Sequence, residues 1–280
     1  MTSGYEVIDN FIIKIQENLS NSQNFEWIPY EQFENIKSLA SGGISNIRIA
    51  KWINGPIIGD KQKQKRVGPL MVVLKIIDWE KELSSILNQV QYHYICYNKS
   101  PDKFLPIYGI TKDHLNNYIS IIKYAEEGDL HDYLDSNFSS LNWNKKLLIL
   151  SSFLRDLKTI HEQGFMHKDI HSKNILLSRN NEGKLLIAYL PTSGLTRPVA
   201  PIGNKNEKEG IYGILPYLAP EVLKGERPRL SDNAPSIYNE VIKMCWAQDP
   251  SVRPSINKLE SIVLEWCDRL AELFGESDKE

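Results

Sequence analysis

Three side chains that could take part in catalysis stand close together in residues 166–177, MHKDIHSKNILL. His167 and Asp169 can take up and release protons, and the amide oxygen of Asn174 is one of the hard ligands that Mg²⁺ accepts. Each residue alone has an ordinary structural explanation, because an aspartate or asparagine in a loop usually serves the fold. The stretch indicates catalysis only if other elements bring a substrate and a metal to it.

The segment that follows, KLLIAYLPTSGLTRP from Lys184 to Pro198, contains no acidic residue. Asp and Glu are absent from the whole interval between Glu182 and Glu207. Proteins hold Mg²⁺ chiefly through carboxylate oxygens in a tight octahedral geometry. A magnesium site in this part of the chain would therefore lack its main ligand.

The bulk composition is that of an ordinary soluble globular protein. Hydrophobic residues make up 41% and charged residues 24% of the 280 residues, enough for one large or two medium domains. A net charge of −2 argues against nucleic acid or a membrane as a partner, and three scattered cysteines argue against a disulfide frame or a zinc site. The N-terminus lacks the basic region of a signal peptide, and no apolar run reaches the ~18 residues of a membrane span. The sequence predicts a cytoplasmic or nuclear location.

The elements that must position the candidate residues follow from the spacing of apolar side chains. Residues 5–19 have a helical spacing, and we expect this helix to dock on its own chain. IRIAKWI and LMVVLKII are typical of strands, and the charged hairpin between them is expected to be a solvated edge without a binding role. A helix, two more strands and then a mainly helical region from residue 143 follow. The sequence predicts an α+β chain with a small antiparallel sheet first and helices second.

Five landmarks occur in an order that resembles the protein kinase superfamily, and within it the tyrosine-kinase-like group. In chain order they are VVLKII, YAEEGDLHDYL, MHKDIHSKN, LPYLAPEVLKG and IKMCWAQDPSVRPS. They are similar to the strand lysine, the hinge, the catalytic loop, the end of the activation segment and a late helical segment of that family. The resemblance runs from Phe25 to the C-terminal helix.

The resemblance implies a bilobal fold with a small antiparallel sheet and one helix in the N-lobe and a mainly helical C-lobe. The implied division is a helical extension at 1–24, an N-lobe at 25–124, a C-lobe at 125–272 and a C-terminal tail at 273–280.

The resemblance also implies what individual residues do. Lys75 would hold the α- and β-phosphates of ATP, since a compact ammonium on a long stem suits phosphate oxygens. Asp169 would orient the substrate hydroxyl or accept its proton, and Asn174 would coordinate magnesium. Further nucleotide contacts would come from the phosphate loop, the strand after it and the hinge, namely Gly42, Gly43, Ile47, Tyr124 and Glu126.

Two departures from the family pattern concern the N-lobe. The phosphate loop, LASGGISNI, keeps Gly42 and Gly43 but has Ala40 and Ser45 at the outer glycine positions. The glutamate that pairs with the strand lysine in the family aligns with Gln89, which has no charge to offer. Both changes predict weak ATP binding.

The third departure is the missing metal ligand. The family aspartate aligns with Thr192 when counted from the glycine after it, and with Tyr189 when counted from the preceding strand. Neither residue carries a carboxylate, so Mg²⁺ binding and catalysis are both expected to be impaired.

The C-lobe also looks shortened, because only 31 residues (222–252) separate Glu221 from Arg253. The family normally fits a buried central helix, a long loop and a further helix into this interval, which indicates an internal deletion near 225–232. Loss of the central helix would uncover the apolar stripe of the helix that starts at Trp143. An exposed stripe predicts low stability and self-association.

Three functional hypotheses remain open on the sequence. The chain is an ATP-dependent kinase of protein hydroxyls, a pseudokinase that binds a protein or senses a nucleotide, or a truncated product without function. Preference for serine or threonine is only implied by the family, because His171 stands where serine/threonine kinases usually have lysine.

Overall fold

A computed structural model describes residues 2–17, 25–39, 47–59, 63–76, 83–101, 104–180, 186–191, 196–198, 217 and 229–275. The chain divides into two compact units, 1–125 and 126–280. The first is rich in strands and the second mainly helical, so the predicted fold class is confirmed. No helix in the described ranges is long and apolar enough to cross a membrane.

The described part of unit 1 contains a six-stranded sheet, a short hairpin and two helices. In chain order the elements are α1 (Glu6–Glu17), β1 (Glu26–Trp27), β2 (Phe33–Ser38), β3 (Ile47–Trp52), β4 (Ile57–Ile58), β5 (Lys65–Arg66), β6 (Leu70–Ile76), α2 (Leu83–Lys99), β7 (Ile107–Lys112) and β8 (Tyr118–Lys123). The strand order of the sheet is β1-β7-β8-β6-β3-β2. All its neighbouring strands pair antiparallel except β1, which pairs parallel with β7.

The sheet of unit 1 is built on alternating apolar residues. In β6, Val72 and Leu74 are fully buried, whereas Met71, the residue before Val72 in the same strand, is 42% exposed. The buried side chains pack with Trp52 of β3 and Ile121 of β8 in one cluster. This period of two is what places alternate β6 residues on opposite faces of the sheet.

The two-residue strand β1 approaches β7 very closely. Glu26 is paired with Gly109 and Trp27 with Ile110, and the N–H of Ile28 donates to the carbonyl of Ile110 at 3.0 Å. A Cβ atom at position 109 would collide with the carbonyl oxygen of Glu26. Glycine is required here because any side chain would push β1 away from the edge of the sheet.

The described part of unit 2 contains five helices and two-stranded sheets. The elements are α3 (Leu130–Asn137), α4 (Trp143–Glu162), β9 (Phe165–Met166), β10 (Leu176–Arg179), β11 (Leu186–Tyr189), β12 (Arg197–Pro198), α5 (Ser236–Cys245), α6 (Ile256–Asp268) and α7 (Leu270–Phe274). β10 pairs with β11, and β9 with β12. Asn142 caps α4 by accepting the N–H of Lys145 at 3.0 Å, and Ser255 caps α6 in the same way, as short polar side chains commonly do.

The expectation of an uncovered stripe on α4 is wrong. Leu147, Leu154 and Ile160 are 1%, 4% and 0% exposed. Val263 and Trp266 of α6 pack in the same cluster as the α4 leucines. Helix α6 thus covers the apolar stripe of α4 that the sequence analysis expected to be uncovered. Burial of the apolar side chains of α4 and α6 against each other stabilises unit 2.

Candidate active site

Unit 1 carries Lys75 near the end of β6. Lys75 is the cross-strand partner of Ile47 on β3 and of Ser120 on β8. Directly opposed residues of neighbouring strands project from the same face of a sheet. The structure therefore brings the predicted phosphate-binding ammonium and the predicted apolar contact Ile47 to one face.

Helix α2 carries the residue that was aligned with the family glutamate. Gln89 is half-buried, and among the described residues its amide nitrogen has no hydrogen-bond partner. One turn later, His93 is 3% exposed, and its Nε2 lies 2.9 Å from the carbonyl oxygen of Leu105, to which it donates. Burial is the main cause that lowers the pKa of His93 to about 4; the bond to Leu105 opposes the shift, and the positive charge of Lys75 adds to it. Helix α2 thus carries a buried histidine that the sequence analysis did not single out.

The predicted hinge spans the boundary between the two units. Tyr124 follows β8 and is half-buried, whereas Glu126 is the first residue of unit 2. The carboxylate of Glu126 accepts a short hydrogen bond from the hydroxyl of Ser178 on β10. The next residue, Glu127, forms an ion pair with Arg179 at 2.6 Å. Side-chain contacts within unit 2 thus engage both glutamates.

Asp169, His171 and Asn174, in the segment that resembles a catalytic loop, lie close together in unit 2. Asn174 Nδ2 donates to the backbone carbonyl of Asp169 at 2.9 Å and to its Oδ2 at 2.7 Å. The same carboxylate has its Oδ1 3.4 Å from His171 Nε2. A carboxylate held from two sides is fixed in orientation, which is what a proton-accepting group needs.

Two polar residues hold the chain after β11: His167, which the sequence analysis considered only as a possible catalytic side chain, and Asp156, which it did not name. His167 is 1% exposed; its Nε2 donates to the carbonyl of Pro191 at 2.9 Å, while its Nδ1 accepts the N–H of Asp169 at 3.3 Å. Asp156 of α4 is also 1% exposed and accepts the N–H of Leu190 at 2.8 Å. The carbonyl of Pro191 and the N–H groups of Asp169 and Leu190 are backbone groups, and such partners leave no signature in the sequence.

The side chains available for a metal do not match a family-type magnesium site among the described residues. Tyr189 ends β11, pairs with Leu176 and is 8% exposed, so it is a strand residue with a phenol rather than a carboxylate. Asn174 turns its amide nitrogen toward Asp169, which leaves its oxygen directed elsewhere. Over the described ranges, no cluster of three His, Cys, Asp or Glu side chains could hold a metal ion. Mg²⁺ favours several oxygen ligands including carboxylates, and Tyr189 and Asn174 by themselves do not supply such a set.

Several site residues that the sequence analysis named lie outside the described residues. They include the phosphate-loop residues Ala40, Gly42, Gly43 and Ser45, and also Thr192 and Glu221.

The chain matches the profile of the family described as protein tyrosine and serine/threonine kinase over residues 33–231. It belongs to the protein kinase family. This match includes Lys75, Tyr124 and residues 166–177, and it confirms the protein kinase superfamily that the landmarks indicated.

The relatives of this kinase domain include three proteins of Dictyostelium discoideum. The probable serine/threonine-protein kinase pats1 is 21% identical over 279 residues, which are 85% of this chain and 8% of that protein. A probable LIM domain-containing serine/threonine-protein kinase is 27% identical over 203 residues, 61% of this chain and 30% of that protein. The RGS domain-containing serine/threonine-protein kinase A is 24% identical over 285 residues, 82% of this chain and 24% of that protein. The chain spans less than a third of the length of each of these relatives.

Proposed function

We propose that this chain is a protein kinase domain that binds ATP and transfers its γ-phosphate to protein hydroxyl groups far more slowly than family members with a complete metal site. One observation carries the proposal. Asp169 is held by Asn174 at 2.7 Å, so a positioned proton acceptor is present, while no carboxylate exists between Glu182 and Glu207. The chain thus keeps the carboxylate that would orient the substrate hydroxyl, and it lacks the carboxylate that would bind magnesium.

ATP binding is supported by the face of the unit 1 sheet that carries Ile47 and Lys75. Ile47 is 38% exposed and stands directly opposite Lys75. An adenine nucleotide has an apolar base and an anionic polyphosphate, so an apolar side chain beside an ammonium fits it. Tyr124 and Glu126 would contribute backbone groups to the adenine.

Serine and threonine are the proposed acceptors. The three relatives described above are named serine/threonine-protein kinases. In this chain Lys173 follows His171 by two residues, and its ammonium could occupy the space that the loop lysine of such kinases fills. Positioning and charge neutralisation supply most of the catalysis of phosphoryl transfer, so a single misplaced cation lowers the rate without changing the reaction.

The test is phosphate incorporation from labelled ATP into the chain itself and into a general protein acceptor. We expect slow incorporation that Asp169→Asn reduces further, because that variant keeps the shape of the side chain and removes the proton acceptor. Thr192→Asp alone should not restore a normal rate, since Gln89 remains. Robust incorporation by the unaltered protein, abolished by Asp169→Asn, would show that catalysis is not impaired.

A second candidate function is a pseudokinase that senses a nucleotide or binds a protein. Two observations favour it: the amide nitrogen of Gln89 has no hydrogen-bond partner in the described part of the chain, and no carboxylate occurs between Glu182 and Glu207. Nucleotide binding without any incorporation that depends on Asp169 would support this function over slow catalysis.

A further inference from the structure

The connection between β3 and β6 is far longer than a hairpin turn requires. These two strands are antiparallel neighbours whose pairing ends at Trp52 and Leu70, and such strands are usually joined by about 2–5 residues. Here residues 53–69 join them and contain a separate two-stranded ribbon of β4 and β5. The pairing of β3 with β6 gives no reason for this ribbon, so its exposed side chains need an explanation of their own.

The ribbon is fastened at its base by several contacts. The guanidinium of Arg66 binds both carboxylate oxygens of Glu26, at 2.7 and 2.6 Å, and donates to the carbonyl oxygen of Gly55 at 2.8 Å. The N–H of Val67 donates to the carbonyl of Pro56 at 3.0 Å. A Cβ atom at position 55 would collide with the carbonyl oxygen of Val67, so glycine allows the two sides of the base to approach each other. The ribbon is therefore an ordered element rather than the plain solvated edge that the sequence analysis expected.

The two faces of the ribbon have different surroundings. Ile57 is paired with Arg66, and Ile58 is paired with Lys65. Paired residues of neighbouring strands project from the same face, and successive residues of one strand project from opposite faces. The Arg66 side chain reaches Glu26 of β1, so its face turns toward the edge of the sheet. The opposite face, with Ile58 and Lys65, turns outward.

The outward side of the ribbon combines ammonium groups with apolar side chains. Lys63 and Val67 stand two residues before and after Lys65, and both are exposed. Val67 is 44% and Ile58 is 38% exposed, and we name these four residues the ribbon face. Within the described ranges neither lysine has a carboxylate partner. Residues 53–69 carry four cations and one acid, a net charge of +3 in a chain whose net charge is −2.

This combination of side chains fits an acidic peptide better than it fits other polyanions. Nucleic acid is bound through many phosphate contacts on a basic surface, and anionic membranes are bound by clusters of about 4–8 cations. Both ligands would leave Ile58 and Val67 without an apolar partner. A peptide that alternates carboxylates with apolar residues meets both kinds of side chain. Its acids also recur at every second residue, as do Lys63 and Lys65 in this chain.

We propose that the ribbon face is a docking site for an extended acidic peptide segment of a partner protein. Alternate carboxylates of the peptide pair with the two lysines, and the apolar residues between them pack on the isoleucine and the valine. The fastened base favours binding because the ribbon is already ordered before the peptide arrives. Exposed ion pairs are individually weak and are screened by salt, so the complex is transient. The site needs neither ATP nor Asp169, and it is therefore independent of the proposed catalytic function.

The probe is a fluorescein-labelled peptide of alternating glutamate and valine, titrated with the full chain and followed by fluorescence anisotropy. We expect saturable binding that weakens as the salt concentration rises. Lys63→Gln combined with Lys65→Gln should weaken binding by about tenfold, since two exposed ion pairs are lost. The control is Lys37→Gln combined with Lys99→Gln, which removes the same charge from exposed positions on β2 and α2. This control should change the affinity by less than about twofold.

Ile58→Ala tests the apolar part of the ribbon face. It should weaken binding of the peptide by about threefold, because less apolar area is buried against the valines. Ile13→Ala is the control, since Ile13 is 51% exposed on α1, and it should leave the affinity unchanged. Duplex DNA and vesicles of anionic phospholipid, titrated in parallel, should each bind at least about tenfold more weakly than the peptide.

Each outcome decides the proposal. No binding of the peptide up to about 1 mM chain overturns it. Equal losses in the two double lysine variants also overturn it, because the attraction would then come from net charge alone. DNA or vesicles that bind as tightly as the peptide overturn the choice of partner. An affinity unchanged by Ile58→Ala overturns the apolar contact. All these positions are exposed, so the variants should melt with the unaltered chain, and phosphate incorporation should be unchanged in each.

Discussion

Replacing Trp266 with alanine tests whether α6 closes the helical core of unit 2. Trp266 is 5% exposed, and its ring centroid lies 6.0 Å from that of Tyr238 on α5 and 5.7 Å from that of Phe274 on α7. The same cluster contains Leu147 and Leu154 of α4. The indole of Trp266 therefore contributes to the packing of α5, α6 and α7 with α4.

The expected loss follows from the buried area of the side chain. An aromatic residue in a core buries about 150–250 Å², and at ~25 cal/mol per Å² this is worth about 4–6 kcal/mol. Alanine keeps a small part of that area, so the free energy of unfolding should fall by about 3–5 kcal/mol, the usual cost of this substitution in a core. Since whole domains have only ~5–15 kcal/mol, unit 2 should become marginal.

Urea unfolding of the full chain, followed by far-UV circular dichroism, measures this loss, and hydrogen exchange locates it. The amides of α4 should lose protection in Trp266→Ala while those of β6 and β8 keep it. The control is Leu264→Ala, two residues away on α6 and 46% exposed, which should cost no more than about 0.5 kcal/mol. If Trp266→Ala costs no more than Leu264→Ala, α6 does not cover α4 and the stripe is open as the sequence suggested.

Three further predictions concern the candidate site. ATP should raise the melting temperature equally with and without Mg²⁺, because the described residues lack a carboxylate set for the metal; stabilisation that requires the metal would contradict this. The pKa of His93 is lowered on folding to about 4, so its stabilising effect is complete above about pH 6.5 and is lost as the pH falls toward 4, by at most about 3 kcal/mol. His93→Gln should flatten that decline in urea unfolding between pH 7 and 4.5, and an unchanged decline would assign it to other groups. Asp156→Ala should lower the free energy of unfolding by about 1–3 kcal/mol more than Asp156→Asn, since only alanine leaves the buried N–H of Leu190 without an acceptor; equal losses would show that this bond contributes little.

The features that could be predicted from the sequence are those that depend on the spacing of apolar residues within one helix or strand. The strand around Lys75 and the apolar stripe of α4 each show their period within a few turns or residues. The stripe says that α4 buries a face, but it does not say against what. Its cover comes from Trp266 and Val263, roughly a hundred residues later, and no local pattern links the two segments. The inferred deletion led to the wrong conclusion because the partner of α4 was assumed to be the missing helix.

The surroundings of Lys75 and of the chain after β11 could not be predicted from the sequence for a different reason. Alignment predicted Gln89 as the residue of α2 to consider, whereas the charge of Lys75 contributes to lowering the pKa of His93, one turn later. The orientation of a helix depends on its tertiary contacts, and its own sequence does not encode that orientation. Likewise His167 and Asp156 bind backbone groups of Pro191 and Leu190, and a backbone partner has no side-chain identity to recognise.

The close contact of β1 with Gly109 also bears on solubility. An unpaired sheet edge offers its N–H and C=O groups to any other strand and is a common start of aggregation. In this chain two residues of β1 occupy the groups of Gly109 and Ile110 on β7, and Glu26 adds a charge at that edge. A protein shortened to begin at residue 29 would leave the edge of β7 unpaired, with a glycine that admits a foreign backbone at close range. We expect such a fragment to form edge-to-edge polymers, so the first 28 residues guard the sheet against self-templating as well as completing it.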